Sequence, residues 1–193
     1  MKKILNESIL DVGCGYKKVI GSVGIDKFQF EGVDIVHDLE LTPWPIEDDS
    51  FDRIIFCHAI SHLQDIHKTL KECHRLLKPG GLLEVVAPHY SSDNFNTDPT
   101  HKMHLGIRSM NYFCSNSSNL KYDYTSGEFG FRLQSSSLSF RECKTSWRKR
   151  TRLNPPRYLG VESIINRFPR IYERFFCWIF PVSEVHYLLK KQS

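Results

Sequence analysis

Three acids and a pair of glycines stand where a carboxylate or a bare main chain could meet a ligand. Asp11-Val12-Gly13-Cys14-Gly15 follows the apolar pair Ile9-Leu10. Glycine lets a chain turn sharply off a strand end and lets a ligand approach main-chain N–H groups closely. Asp26 closes a second short run, Val23-Gly24-Ile25, and a carboxylate there can accept from both hydroxyls of a ribose. Asp38-Leu39 follows a third run, Gly32–Val36, with a turn aspartate bonded to local amides as the plainer alternative. Imidazoles offer a second kind of chemistry. His89 lies in Pro88-His89-Tyr90 and His101 in Asp98-Pro99-Thr100-His101. A neutral imidazole near pH 7 can take a proton from a hydroxyl or amine, which makes these two the candidate catalytic residues. For each, a loop-stabilising hydrogen bond is the duller alternative. His58 and His62 stand four apart, with His89, His101 and His104 available to complete a metal set. No Glu stands beside them in a His-Glu-x-x-His pattern, so no metal is expected.

The elements that must position these residues alternate between strand and turn. Strands are predicted at 8–12, 23–26, 32–36 and 50–57. A helix over 66–77 places Ile66, Leu70, Cys73 and Leu77 on one face, stopped by Lys78-Pro79-Gly80-Gly81 before a buried strand at 82–87. Only 15 residues separate Asp11 from Asp26, against about 20 in dinucleotide-type folds, so the first crossover is too short for a normal helix. Lys17 occupies the place of a third glycine, and Lys17 or Lys18 could assist the ligand instead. Thr42-Pro43-Trp44-Pro45 can be neither helix nor central strand. Residues 88–128 form a long polar stretch, and such loops in compact domains are usually functional. A short helix is expected at 107–113, a sixth strand over 129–146, a broken amphipathic helix over 160–180 interrupted at Pro169, and a last strand at 183–190.

The ordered series Asp11–Gly15, Val23–Asp26, Ser50–Phe56 and Leu76–Val86 resembles the class I S-adenosylmethionine-dependent methyltransferases, closest to the small type 11-like group. The resemblance covers roughly residues 8–113. It implies a Rossmann-like α/β fold: a mostly parallel seven-stranded sheet, its last strand antiparallel, with helices on both faces. It implies S-adenosylmethionine as cofactor, held by Asp11, Gly13, Gly15, Asp26, Asp38, Leu39, Cys57 and His58. Asp38 would accept from the adenine amino group. Ser61 stands where relatives often carry Glu, which puts that acid's contact in doubt. The implied activity is O- or N-methylation of a small or glycan-like polar acceptor, with 88–128 on the acceptor side. Two alternatives stay open: a non-catalytic cofactor- or partner-binding module, and a nucleotide-binding oxidoreductase.

Length and composition fit one domain over 1–193. Six scattered cysteines without a Cys-x-x-Cys pair read as reduced thiols, and no signal-peptide core or membrane span is visible, so a cytoplasmic protein is expected. The net charge of +4 hides an asymmetry. Residues 141–193 carry 12 Lys and Arg against 4 acids, and residues 1–140 carry 14 against 18. The basic, aromatic end could meet an anionic partner, such as a membrane surface at which the protein sits peripherally. Nucleic acid is disfavoured: Asn154-Pro155-Pro156-Arg157 departs from the tetrad of nucleic-acid N-methyltransferases and lies too late in the chain. Arg148-Lys149-Arg150-Thr151-Arg152 reads first as a solvated charge run. The segment 157–182 is expected as a helical insertion before the last strand, serving as a lid, a homodimer contact or a membrane rest. The plainer expectation is that the sheet buries its aromatics.

Overall fold

The computed structural model describes residues 7–116, 122, 124–125, 127–140 and 160–192. Seven strands form one sheet: β1 (Ile9–Val12), β2 (Val23–Asp26), β3 (Ile35–Val36), β4 (Phe51–Cys57), β5 (Leu77–Pro88), β6 (Phe131–Ser139) and β7 (Glu184–Lys191). Their order is β3-β2-β1-β4-β5-β7-β6. The first five are parallel, and β7 lies antiparallel between β5 and β6. Strand order reverses between β1 and β4, and an open α/β sheet binds its ligands at such a switch, outside the carboxyl ends of the strands.

The expected strands exist because apolar side chains are buried along them. Leu10, Val12, Ile25, Ile54, Phe56, Leu83 and Val85 are all inaccessible and form the centre of the core. The third strand shrinks to two paired residues, since only Ile25↔Ile35 and Asp26↔Val36 register with β2. Helix α1 (Ile66–Leu76) starts at Asp65, whose carboxylate accepts from the Lys68 N–H at 3.0 Å. It buries Leu70, Cys73 and Leu76, and His74 and Arg75 occupy its last turn, where cations suit the helix dipole. The chain then departs from expectation. Leu77 already pairs with Phe51, and pairing resumes at Arg53↔Leu82. Lys78-Pro79-Gly80-Gly81 is therefore a bulge inside β5 and not a turn before it. Gly80 takes φ +77°, and a Cβ at Gly81 would sit 2.9 Å from the Lys78 carbonyl oxygen.

No helix forms between Gly13 and Ser22, as the short spacing predicts. Instead the Val19 N–H donates to the buried Asp11 carboxylate at 2.8 Å. The loop 39–46 is pinned from below: Trp44 is buried, its indole N–H donates to the Leu39 carbonyl, and its main-chain N–H donates to Glu72. Arg75 completes this clasp by bonding both Glu72 and the Trp44 carbonyl.

A short helix not anticipated from sequence, α2 (Asp93–Thr97), and two 3₁₀ turns, Ile60–His62 and Ser109–Phe113, line the carboxyl side of the sheet. The segment before β7 forms α3 (Val161–Arg167) and α4 (Pro169–Phe175), broken where Pro169 was expected to break it. Its aromatics are not swallowed by the sheet. Ile165, Tyr172 and Cys177 point inward, whereas Phe168, Phe175, Trp178, Ile179 and Phe180 are 55%, 61%, 70%, 65% and 62% exposed. Among the described residues no helix is long and apolar enough to cross a membrane. The Asn154 motif and the Arg148–Arg152 run lie outside the described residues.

Candidate cofactor and acceptor site

A cleft of about 890 Å³ opens at the carboxyl ends of β1, β2 and β4. Gly13, Asp26, Asp38, Leu39, Cys57 and His58 all line it. Gly13 adopts φ +67°, and a Cβ there would fall 2.3 Å from that of Ala59. The loop can therefore pass the 3₁₀ turn only with a bare main chain. Asp26 is fixed from both sides: Oδ2 accepts from Gly15 N–H at 2.9 Å and Oδ1 from Phe28 N–H at 3.0 Å. Each carboxylate oxygen keeps a second lone pair for a ligand hydroxyl.

Two expected cofactor residues sit behind the cleft. Asp11 does not line it; it staples the short crossover through Val19, and burial pushes its carboxyl above the ordinary value despite that bond. Gly15 serves through its N–H to Asp26. The lysines turn elsewhere too, since Lys18 pairs with Asp34 at 2.6 Å and Lys17 is exposed. At the outer rim Asp38 pairs with Lys27 at 2.8 Å, and that hydrogen bond lowers its pKa. Lys102 faces Glu40 at 3.8 Å. Phe28 and Phe30 add an aromatic wall that the sequence reading did not anticipate.

The histidines divide. His89 is fully buried, with Nδ1 bonded to Ser91 Oγ at 2.8 Å and Nε2 to Glu173 Oε1 at 3.2 Å. Both ring nitrogens are engaged, Nε2 tying the end of β5 to α4 and Nδ1 bonding within its own loop, and the ring does not line the cleft. His101 lies one layer behind the wall; Thr100 and Pro99 line the cleft, and His101 Nδ1 meets the Phe95 carbonyl at 3.0 Å. His58, in contrast, faces the cleft at φ +65°, a conformation that costs a non-glycine residue energy and clusters at functional sites. Its Nε2 lies 2.7 Å from Oε1 of the buried Glu184, whose Oε2 is 3.0 Å from His186 Nε2. Glu184 and Glu173 were invisible beforehand, because their partners lie 126 and 84 residues away. Ser61 does not reach into the cleft in place of the expected acid. Its hydroxyl donates to the His58 carbonyl, and its own carbonyl accepts from Lys102 N–H at 2.7 Å, which seats the 98–103 loop on the wall.

Residues 17–85 match the family model of a methyltransferase domain. The fold matches a SAM-dependent methyltransferase from Archaeoglobus fulgidus with a TM-score of 0.57, at 19% identity, over 96% of this chain and 86% of that one. In residues 17–85 and in its fold the chain is similar to the class I S-adenosylmethionine-dependent methyltransferases. S-adenosylmethionine is the cofactor of that family. Ribosomal RNA-processing protein 8 of Caenorhabditis briggsae is 32% identical over 84 residues, which are 41% of this chain and 25% of that protein. The ubiquinone/menaquinone biosynthesis C-methyltransferase UbiE of Pseudoalteromonas translucida is 33% identical over 107 residues, 50% of this chain and 39% of that one. The chain thus spans between a quarter and two fifths of the length of these two relatives. The cleft offers parts that fit such a cofactor: a bare turn at Gly13, a fixed carboxylate at Asp26, and apolar walls from Leu39, Phe28 and Phe30.

Proposed function

We propose that this chain methylates an oxygen or nitrogen of a small or glycan-like polar acceptor. S-adenosylmethionine, when bound, supplies an electrophilic methyl on a sulfonium. The protein's own contribution is holding, orienting and proton acceptance. Asp26 and Gly13 would hold the ribose and the adjoining chain of the cofactor, Leu39 and Phe28 the purine, and Asp38 its amino group. The carrying observation is the continuous cleft that runs from Asp26 and Asp38 to His58, His62, Thr100 and Lys102. Its far end is polar and leads onto the 98–103 loop, which suits a hydroxylated or amino acceptor.

The proton acceptor in this reading is His58, not His89. His58 reaches the cleft, and Glu184 fixes its ring through Nε2 and would stabilise the imidazolium that forms. The relatives' names point to RNA processing and to quinone carbon methylation, and their likeness covers only 41% and 50% of this chain. Their acceptors therefore carry little weight here. The test is methyl transfer from labelled S-adenosylmethionine over oligosaccharides, small phenols, amines and RNA. Label is expected in a saccharide or small hydroxylated or amino compound. Transfer to RNA alone would contradict the acceptor assignment. His58→Ala should lower turnover by about 100-fold or more while His89→Ala acts through stability.

A further inference from the structure

We infer that His62, Asp98 and His101 form a binding site for a divalent transition metal at the acceptor end of the cleft. One ligand atom from each lies within 4.8 Å of the others. Two imidazoles and a carboxylate suit zinc, or iron(II) with open positions. Donors about 2.0–2.1 Å from zinc stand roughly 3.3 Å apart in a tetrahedron, so small side-chain rotations close the set.

The surrounding bonds point the same way. His101 Nδ1 meets the Phe95 carbonyl at 3.0 Å, an acceptor that requires the proton on Nδ1 and leaves Nε2 as a lone pair. Thr100 Oγ1 donates to Asp98 Oδ1 at 2.7 Å, so it accepts from His62 Nδ1 at 2.8 Å, and the same tautomer follows there. Asp98 Oδ1 also accepts from Thr100 N–H, which leaves Oδ2 for the ion. Metal-bound histidines are held in this manner, with the second nitrogen donated to a carbonyl or a carboxylate-linked group. The two rings lie 4.6 Å apart between centroids, close enough to share one cation. His62 lines the cleft, so an ion here would stand at its wall and could take an acceptor oxygen.

This site does not depend on the methyl-transfer reading, and its test uses no turnover. Tag-free protein titrated with Zn²⁺ in a calorimeter should show one site per chain, and Co²⁺ should give a ligand-field spectrum. His101→Ala and Asp98→Asn should each weaken Zn²⁺ at least about tenfold, whereas His104→Ala, outside the triad, should not. Unfolding curves check that each variant is native; a variant that fails this check is replaced by Thr100→Val, which removes the His62 acceptor and should weaken Zn²⁺ in the same direction. Zn²⁺ binding that is absent, or unchanged in the native variants, overturns the inference.

A second observation stands apart from the first. The outward face of 164–180 combines eight exposed large apolar side chains, Phe168, Phe175, Trp178 and Phe180 among them, with exposed Arg167, Arg170 and Arg174. The one acid of this stretch, Glu173, is half-buried and turned inward onto the Ile107 N–H and His89. Beside it, Arg108, Arg170 and Arg174 share a cleft of about 600 Å³. The charge complementarity points to an anionic phospholipid surface, with rings in the headgroup layer and the arginine cleft on lipid phosphate. Flotation with phosphatidylglycerol-containing vesicles should carry the protein, phosphatidylcholine alone should carry much less, and Arg170→Glu or Trp178→Ala should reduce it several-fold. Equal recovery on both vesicles, or a dimer that hides this face in sedimentation, overturns it.

Discussion

Side chains of one type serve opposite ends in this molecule according to where the backbone puts them. Asp11 and Asp26 both close short parallel strands. Asp11 is drawn under the sheet end to hold Val19, while Asp26 is held out by Gly15 and Phe28 N–H groups so that its free lone pairs face the cleft. Asp26→Ala should therefore weaken S-adenosylhomocysteine at least about tenfold, about 1.4 kcal/mol, by calorimetry. Asp11→Ala should act chiefly on stability. Residue types and spacing put Gly13, Asp26, Asp38 and Leu39 at or just past strand ends, and all four line the cleft. The proton acceptance proposed for His58 was not legible. His89 looked available from sequence, yet Glu173 and Ser91 occupy both its nitrogens, and the dyad on His58 needs a glutamate 126 residues away. Glu184→Gln should keep cofactor affinity but lower turnover roughly 10- to 100-fold, by loosening the ring that Glu184 orients.

Elements here are set by clasps between distant segments as much as by pattern. The proline-rich loop 42–45 was expected to be irregular, but its anchoring by Glu72 and Arg75 depends on α1. Glu72→Ala leaves the buried Trp44 N–H without its acceptor and should cost about 1–3 kcal/mol in denaturant unfolding. It should also loosen Leu39 and so weaken the cofactor. The edge of β4 is tied to β1 by Asp52, whose carboxylate accepts from Lys78 at 2.9 Å and from Ser8. The hydrogen bond from Lys78 first, then those from Ser8, hold its pKa down to about 2. A carboxyl lowered on folding stabilises above its unfolded value of about 3.9 and loses that contribution as pH falls through its folded value. The melting-temperature gap between wild type and Asp52→Asn should thus be constant above about pH 5 and close toward pH 2. The pair is partly exposed, so the gap should be small and shrink with salt. Helix α2 escaped the sequence reading because its five residues are mostly polar, and β3 was overestimated because its flanks pair with nothing in the sheet.

At the scale of the whole molecule, the sheet order brings Gly13, Asp26, Asp38, Leu39, Cys57 and His58 around one cleft, with Thr100 and Lys102 of the 98–103 loop on the same cleft. The topology was legible through the ordered motifs, whose resemblance implied a mostly parallel seven-stranded sheet with an antiparallel last strand. The face of α3 and α4 was legible only as an excess of aromatics. Burial by the sheet and exposure to a partner look alike in sequence; in the fold Ile165, Tyr172 and Cys177 turn inward while the large apolar side chains from Phe168 to Phe180 that remain are exposed. The central claim is that the cleft at the β1–β4 switch takes S-adenosylmethionine. Its most direct measurement is a calorimetric titration of the intact chain with S-adenosylhomocysteine, run beside NAD. One S-adenosylhomocysteine per chain, lost or weakened at least about tenfold in Asp26→Ala, with no comparable heat from NAD, is the predicted result. No binding of S-adenosylhomocysteine, or equal binding by the Asp26 variant, would contradict it.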